Sequence, residues 1–170
     1  MRLAVAALPL VLAAACTETA DGPDLVGVWR VTSHTDNPSG CTPGPAVTDP
    51  PYLEWHRETL FGQVYYQWAP CATPTTCDST SLFSLSYAKP ISDGYEASIY
   101  TSSGDMTSCV LGATVSTAVV AADGTLTIEI RHSHKDGVTG TACTTDEAQA
   151  ALEAGQLTCG ELEVLTAVRN

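Results

Sequence analysis

Two histidines at alternate positions are the groups whose type and spacing most suggest chemistry. His132 and His134 follow residues 125–131, a segment in which apolar and polar side chains alternate. Side chains two residues apart on a strand share a face, so both imidazoles are expected on its apolar face, at the mouth of the fold. There they could meet a metal, a ligand carboxylate or a haem. The alternative is that the strand ends at this point and both rings are solvated, since two histidines without a third ligand make a poor metal site.

The other two histidines add little to such a site. His34 and His56 could supply a further ligand, but each is on an outward register of its segment. Residues 54–58, Glu-Trp-His-Arg-Glu, are typical of a solvated strand face rather than of an acid/base pair. No segment resembles a nucleophile elbow, a phosphate loop or a zinc-protease helix. The sequence therefore points away from an enzyme and indicates neither a metal nor a cofactor.

Three aromatic side chains form a second candidate site. Trp55, Tyr66 and Trp68 share alternating positions with Leu53 and Val64, so they are expected to face the interior. There they could form the walls of a pocket for a small apolar ligand. The alternative is that they are ordinary core residues, which is the usual role of inward aromatics.

The first sixteen residues have the pattern of an export signal. Arg2 supplies a basic start, residues 3–12 are apolar, and three alanines precede Cys16. This run is too short to span a bilayer. Residues 12–16, Leu-Ala-Ala-Ala-Cys, resemble the bacterial lipobox, which implies removal of residues 1–15 and acylation of Cys16. Two or more acyl chains anchor a protein stably. Because Thr17 stands where an Asp would favour the inner membrane, the resemblance implies the outer membrane if the host has one.

The charge of the mature chain excludes several classes of partner. Cleavage leaves 170 − 15 = 155 residues with 6 basic and 19 acidic side chains, a formal charge of 6 − 19 = −13. Nucleic acids and anionic lipid surfaces are bound through Lys and Arg, so neither is expected as a partner. We interpret the acidity as favouring solubility rather than a cation site. The lipid bilayer, reached through Cys16, is the partner that the sequence indicates.

Six further cysteines predict disulfide bonds. Their number is even, and export places them in an oxidising compartment. Zinc is not indicated, because no Cys-x-x-Cys pair occurs. Spacing favours one close pair and one pair around a predicted helix, and elimination gives the third: Cys71 with Cys77, Cys143 with Cys159, and Cys41 with Cys109.

The rest of the chain predicts one domain, residues 25–170, after a short polar tether at residues 16–24. Eight segments are rich in Val, Ile, Thr, Tyr or Trp and are separated by turn residues. They are residues 26–35, 51–58, 62–69, 81–88, 94–101, 108–121, 125–134 and 160–169. Asp123-Gly124 predicts a type I′ turn, and residues 92–94 predict another hairpin turn. Eight short antiparallel strands with one buried face indicate a closed barrel.

One helix is predicted at residues 145–154, before the last strand. Thr144 and Glu147 have the spacing of a capping box, and Gly155 suits a left-handed C-cap. The apolar stripe of this helix is narrow and mostly alanine. We therefore expect the helix on the outside of the sheet.

Both ends of the predicted barrel resemble a known family. Gly27-Val28-Trp29 resembles the Gly-x-Trp signature of lipocalins and the wider calycin group, in which a basic side chain from the last strand covers the Trp. Arg169 is similarly placed, and its cation–π contact with Trp29 is expected to contribute about 1–2 kcal/mol. The resemblance implies an all-β, lipocalin-like fold, an eight-stranded antiparallel up-and-down barrel.

Two functions follow from these observations. In the first, a membrane-anchored lipoprotein binds or carries a small apolar ligand at the cell envelope, with Trp55, Tyr66 and Trp68 as walls and His132 and His134 at the rim. In the alternative, the barrel is filled by side chains, and loops 36–50 and 70–80, joined by disulfides, bind a partner. An enzyme would instead need one of the two histidines paired with a carboxylate.

Overall fold

The computed structural model describes residues 22–48, 50–78, 85–105 and 107–170, and these form nine β-strands and one α-helix. The strands are β1 (Gly27–Asn37), β2 (Tyr52–Leu60), β3 (Gln63–Thr73), β4 (Thr76–Cys77), β5 (Lys89–Ile91), β6 (Gly94–Gly104), β7 (Cys109–Val120), β8 (Thr125–Val138) and β9 (Thr158–Arg169); the helix is α1 (Thr145–Glu153). The predicted signal peptide, Cys16 and most of the predicted tether lie outside the described residues. Within the described ranges, no helix has the length and hydropathy needed to cross a membrane.

The strands form one antiparallel sheet in the order β4-β3-β2-β1-β9-β8-β7-β6-β5. The all-β prediction is therefore confirmed. The predicted eight-stranded closed barrel is not, because strand pairing ends at β4 and β5, which have only two and three residues. One isolated bridge links β3 to the chain just before β5: Tyr66 and Tyr87 exchange backbone hydrogen bonds of 3.0 and 2.9 Å. The sheet thus curves until its two ends are in contact at this point.

Most strand boundaries differ from the sequence prediction by a few residues, β4 is an additional strand, and two differences are larger. The predicted strand at residues 81–88 lies partly outside the described residues, and β5 begins only at Lys89. β8 continues past residue 134 to Val138, because β7 pairs with it as far as Cys109. Lys-Asp-Gly is a poor strand sequence, but pairing with a neighbouring strand overrides this weak local preference.

The β7–β8 hairpin turn forms where Asp123-Gly124 predicts it, with a different geometry. Gly124 donates to the carbonyl of Ala121 at 2.9 Å, and Gly124 alone in this turn has a positive φ, 83°. A type I′ turn needs positive φ at both central residues, so that part of the prediction is wrong. The Asp123 carboxylate instead accepts a hydrogen bond from the Thr125 N–H at 2.9 Å, and this side-chain bond stabilises the turn.

Helix α1 begins after Thr144, whose hydroxyl accepts the Glu147 N–H at 3.2 Å. It is followed by Gly155 at φ 65°, the left-handed position that the sequence predicts. Ala148 and Ala151 are buried against Cys109 and Leu111 at the start of β7. Since the core described below lies on the opposite face of β7, the helix lies outside the sheet, as expected.

The register of the strands gives the sheet two different ends. The tether end comprises residues 22–26 and the β2–β3, β5–β6 and β7–β8 turns. The loop end comprises the β1–β2, β3–β4, β6–β7 and β8–β9 connections, the last of which contains α1. All the connections at the tether end are short turns, whereas the two longest connections between neighbouring strands, β1–β2 and β8–β9, lie at the loop end.

The main core lies on the inner face of the curved sheet. It draws side chains from β1, β2, β3, β6, β7, β8 and β9 and from the segment before β5. Its largest fully buried members are aromatic or aliphatic: Trp29, Trp55, Tyr66, Tyr87, Leu25, Leu53, Leu85, Leu126, Ile128, Ile130 and Leu165. The alternation predicted for β8 is confirmed, since Leu126, Ile128 and Ile130 have no exposed surface.

Three disulfides join the six described cysteines, all at the loop end. They are Cys71–Cys77, Cys109–Cys143 and Cys41–Cys159. Only the first pair agrees with the sequence prediction, and Cys143 with Cys159 and Cys41 with Cys109 are wrong. Packing of α1 on β7 brings Cys143 to Cys109, while β1–β9 pairing brings the loop that carries Cys41 to the start of β9. Closeness along the chain did not predict either contact.

Candidate functional site

The three aromatic side chains proposed as ligand walls lie in the main core. Trp55 and Trp68 are opposite one another on β2 and β3, and Tyr66 follows on the same face. Their exposed fractions are 1% for Trp55, 2% for Tyr66 and 5% for Trp68. These values leave almost no ring surface in contact with water, whether outside the protein or in an internal void. Their burial agrees with the core alternative, and a ligand-binding role for them stays a prediction.

Two further tyrosines complete this aromatic core. The ring of Tyr87 meets Trp55 edge-on at a centroid distance of 5.0 Å, and the ring of Tyr95 lies 4.7 Å from that of Tyr66. Such tilted and edge-to-face pairs are favourable arrangements for aromatic rings. The sequence predicts no role for either tyrosine. Tyr87 lies outside the regular strands, in a segment that the bridge to Tyr66 joins to β3.

One pair of buried hydroxyls in this core is hydrogen-bonded. Tyr87 and Ser116 share a hydrogen bond of 2.7 Å between their hydroxyl oxygens, and both residues are fully buried. Burial raises the pKa of Tyr87 to about 12, because a phenolate would lose its hydration there. Burial, with the neighbouring Tyr66, also raises the pKa of Tyr95 above its usual value. Both phenols therefore stay neutral at physiological pH and act as core residues.

The tether end is closed by the residues of the Gly-x-Trp resemblance. The Arg169 guanidinium lies 4.7 Å from the centroid of the Trp29 ring, the arrangement that the sequence predicts. Arg169 also donates to the carbonyls of Asp24 at 2.7 Å and Val26 at 2.9 Å, while the Trp29 indole donates to the carbonyl of Leu25 at 2.8 Å. Residues 22–26 are thus fixed across this end of the core.

Gly27 and Gly22 permit this closure. Gly27 has a φ of 121°, a conformation that favours glycine, and lies beside the Arg169 side chain. At Gly22 an added Cβ would lie 2.8 Å from the Tyr95 ring. The chain therefore runs close over an aromatic ring as it enters the fold.

His132 and His134 lie at the loop end of β8 and have different surroundings. His132 is half-buried, and its Nδ1 lies 2.8 Å from the Thr114 hydroxyl on β7. His134 is exposed, over Gly160, with its Nε2 3.7 Å from an Asp136 carboxylate oxygen. Both belong to β8, which continues to Val138, so the alternative that the strand ends directly after them, before Lys135-Asp136-Gly137, is wrong. They do not converge on one described ligand.

The closest histidine and carboxylate pair was not predicted. His34 Nε2 lies 2.7 Å from Glu163 Oε1, with 10% and 24% of the side chains exposed. The sequence placed His34 on an outward register, but a β-bulge between Val31 and Ser33 shifts the alternation by one residue. His34 is therefore opposite Leu165 and shares its inward face.

A second carboxylate lies beside this pair. Asp36 is opposite Glu163, and its Oδ1 is buried without a hydrogen-bond partner in the described structure. His56, in contrast, is on the outer face as predicted, 3.2 Å from Glu54. An imidazole between strands with two carboxylates can neutralise one of them when it is protonated.

Metal ligation has little support among the described residues. The one group of three close donors there is Glu54, Cys71 and Cys77. Both of these cysteines are in a disulfide, so they do not offer thiolates.

The loop end carries an exposed segment with a fixed conformation. Residues 38–48 are mostly exposed, yet the Val47 N–H donates to the His34 carbonyl at 2.9 Å and the Asp36 N–H donates to the Pro45 carbonyl at 3.2 Å. The disulfide of Cys41 holds the same segment to β9. At Gly44 an added Cβ would lie 1.9 Å from the Asp36 carbonyl oxygen, so this close approach requires glycine.

No family model, curated protein or solved structure matches this chain. The functional conclusion therefore depends on the geometry of the chain itself.

Proposed function

We propose that the protein is a lipoprotein of the cell envelope, anchored through acylated Cys16, whose domain is a non-catalytic interaction module. In this proposal the inner face is filled by side chains, and the disulfide-joined loops of the loop end bind a partner. The observation that carries this proposal is the burial of Trp55, Tyr66 and Trp68 in one aromatic cluster with Tyr87. A carrier would need an open interior at this place.

The position of the loops supports this function. Residues 38–48 are exposed but already ordered by backbone hydrogen bonds and the Cys41–Cys159 disulfide. A loop that is ordered before binding loses less conformational entropy when a partner binds. The loop end is also opposite to the tether end, where the chain leads to Cys16, so it would face away from the membrane.

A calycin-like barrel is the fold that we propose for this module. The Arg169–Trp29 contact and the Tyr66–Tyr87 bridge support it, since the first unites the first and last long strands and the second joins the two ends of the sheet. A filled barrel of this kind has no cavity and serves as a rigid support for its loops.

Position-specific photocrosslinking in intact cells tests the function. A photoreactive residue at Val47, at the loop end, should yield one discrete crosslinked species, and the same residue at Val26, at the tether end, should not yield it. Both side chains are similarly exposed, at 37% and 39%. Gly44→Ala should abolish the crosslink by displacing residues 38–48, while Gly40→Ala, whose added Cβ meets only the Asn37 side chain, should retain it.

Native mass spectrometry separates this function from the carrier alternative. The chain without Cys16, exported and purified without detergent, should have the mass of the bare oxidised polypeptide. An additional mass that disappears on denaturation would contradict the filled interior and identify the class of an apolar ligand. No crosslink from any exposed loop-end position would contradict the interaction module.

A further inference from the structure

The tip of the β2–β3 hairpin exposes two apolar side chains. Phe61 is 99% exposed and Leu60 is 53% exposed. Scattered apolar residues are common on protein surfaces, but this pair is adjacent and projects from a turn. Nothing in the described chain packs on the Phe61 ring.

The backbone of this turn makes the choice of Phe unusual. Leu60 pairs with Gln63, and the two residues between them have positive φ, 52° at Phe61 and 79° at Gly62. This is the geometry of a type I′ turn, in which Asn, Asp or Gly is preferred at the first position because other side chains are strained there. The chain therefore keeps a large aromatic residue where a polar one would fold more easily.

The other two turns at the tether end follow the usual preference. In the β5–β6 turn, the residue with positive φ is Asp93, at 59°. In the β7–β8 turn, Gly124 has the positive φ and Asp123 accepts a backbone hydrogen bond. Of these three hairpin turns, only the β2–β3 turn has a large apolar residue, Phe61, at a position with positive φ.

The hairpin projects beyond the point where the chain enters the fold. Gly27, the first residue of β1, is level with Trp55 on β2, and β2 continues to Leu60. Five further strand residues extend the hairpin by about 16 Å beyond that level.

The sequence places the lipobox cysteine near the same end. Cys16 and Gly22 are 22 − 16 = 6 residues apart, which even a fully extended chain spans in about 20 Å. Residues 22–26 are fixed at the tether end by Arg169 and Tyr95. If Cys16 is in the bilayer, the tether end is held within this short distance of the lipid surface, and the hairpin reaches toward it.

We infer that Leu60 and Phe61 insert into the interfacial region of the bilayer that holds Cys16, as a second, apolar contact that orients the domain. The inference rests on the proposed acylation of Cys16. Apolar insertion rather than charge is the appropriate mode, because the mature chain carries a formal charge of −13 from 6 basic and 19 acidic residues. The contact fixes the loop end on the side away from the membrane.

Tryptophan fluorescence of the acylated full chain in phosphatidylcholine vesicles tests this contact. The three native Trp residues are 1%, 1% and 5% exposed, so an added Trp dominates any response to lipid. The Phe61→Trp variant should show blue-shifted emission that is quenched by lipids with brominated acyl chains. The matched control is Val110→Trp, an exposed apolar position at the loop end, which should show neither effect.

Each outcome has a defined meaning. Absence of an acyl mass on Cys16 would overturn the proposed lipoprotein and, with it, this inference. Acylated protein without quenching of Phe61→Trp would overturn the inference alone. Blue-shifted emission that brominated lipid does not quench would assign the hairpin to a protein partner, such as a second copy of the chain, and would also overturn it.

A second variant separates a membrane role from a folding role. Phe61→Asn gives the turn its preferred Asn-Gly sequence, so the melting temperature of the domain should not fall. Vesicles should protect the amides of residues 58–65 from hydrogen exchange in the native chain, and this protection should be lost in Phe61→Asn. Retained protection would contradict insertion of the ring.

Discussion

The two ends of the sheet are stabilised in different ways. At the tether end the chain turns tightly, and Trp29, Arg169 and Leu25 close the core by packing and hydrogen bonding. At the loop end, three disulfides join the connections and strand ends, and polar side chains such as His34 and Glu163 occupy the inner face. One end therefore depends on buried apolar area and the other on covalent links.

Under the proposed function, this division separates the end that stabilises the fold from the end that binds a partner. A packed end tolerates little change, since each core side chain is close to several others. Exposed loops that are fixed by disulfides can vary in sequence without loss of the core. The difference predicts that loss of a disulfide destabilises the fold at the loop end, whereas loss of buried side chains destabilises it in the packed core.

The largest effect is expected at the loop end. The Cys41→Ala/Cys159→Ala double variant should lower the free energy of unfolding by about 5 kcal/mol, since the bond joins residues separated by 118 positions. Urea denaturation of both forms measures the difference. The control is Cys71→Ala/Cys77→Ala, with a separation of 6, where about 2 kcal/mol is expected. Equal losses would contradict the loop-length explanation.

The packed core should be almost as sensitive. Trp55→Ala should lower the free energy of unfolding by about 4 kcal/mol, because it removes a buried indole and its contact with Tyr87. Phe61→Ala, an equally drastic truncation at an exposed site, should change it by less than about 0.5 kcal/mol. A small loss in Trp55→Ala would indicate an open interior and favour the carrier hypothesis. Denaturant titration followed by circular dichroism gives both values.

Alkali should destabilise the aromatic core. The pKa of Tyr87 is raised to about 12 from 10.0, chiefly by burial, so the folded state binds its proton more tightly than the unfolded state. This contribution is fully present below pH 10 and is lost as pH rises toward 12, by on the order of 2 kcal/mol. The free energy of unfolding should fall over this window, and less so in Tyr87→Phe. An unchanged slope in that variant would contradict the assignment.

The smallest of these effects concerns the closure of the tether end. Arg169→Met keeps the aliphatic stem but removes the contact with Trp29 and the two hydrogen bonds to residues 24 and 26. The expected loss of unfolding free energy is about 1–2 kcal/mol. Arg131→Met, which removes only an exposed pair with Glu129, should have almost no effect. Equal melting temperatures for the two variants would contradict a special role of Arg169.

The sequence predicts the tether end better than the loop end. Trp29 and Arg169 could be paired because the Gly-x-Trp resemblance implies this contact, and the contact needs only the regular pairing of β1 with β9. The inward side of Leu126, Ile128 and Ile130 follows from strict alternation, which has no local exception in that part of β8. The buried face of a regular strand can therefore be predicted from the alternation of apolar and polar residues in its sequence.

Contacts that depend on bulges or on tertiary packing cannot be predicted from such a pattern. The bulge at Val31/Ser33 reverses the side of His34 without any Gly or Pro to indicate it. The partners of Cys109 and Cys159 depend on how α1 and β1 pack, which spacing along the chain does not encode. The bridge from Tyr66 to Tyr87 depends in the same way on the curvature of the whole sheet.

The pairing of β1 with β9 has a consequence for biosynthesis. Trp29 and its partner Arg169 are 140 positions apart. One edge of β1 therefore stays unpaired until almost the whole domain has been synthesised. At typical rates of synthesis this interval is on the order of 10 s. During this interval the strand edge beside Trp29 is open to pairing with a wrong strand, and only synthesis of β9 removes that hazard.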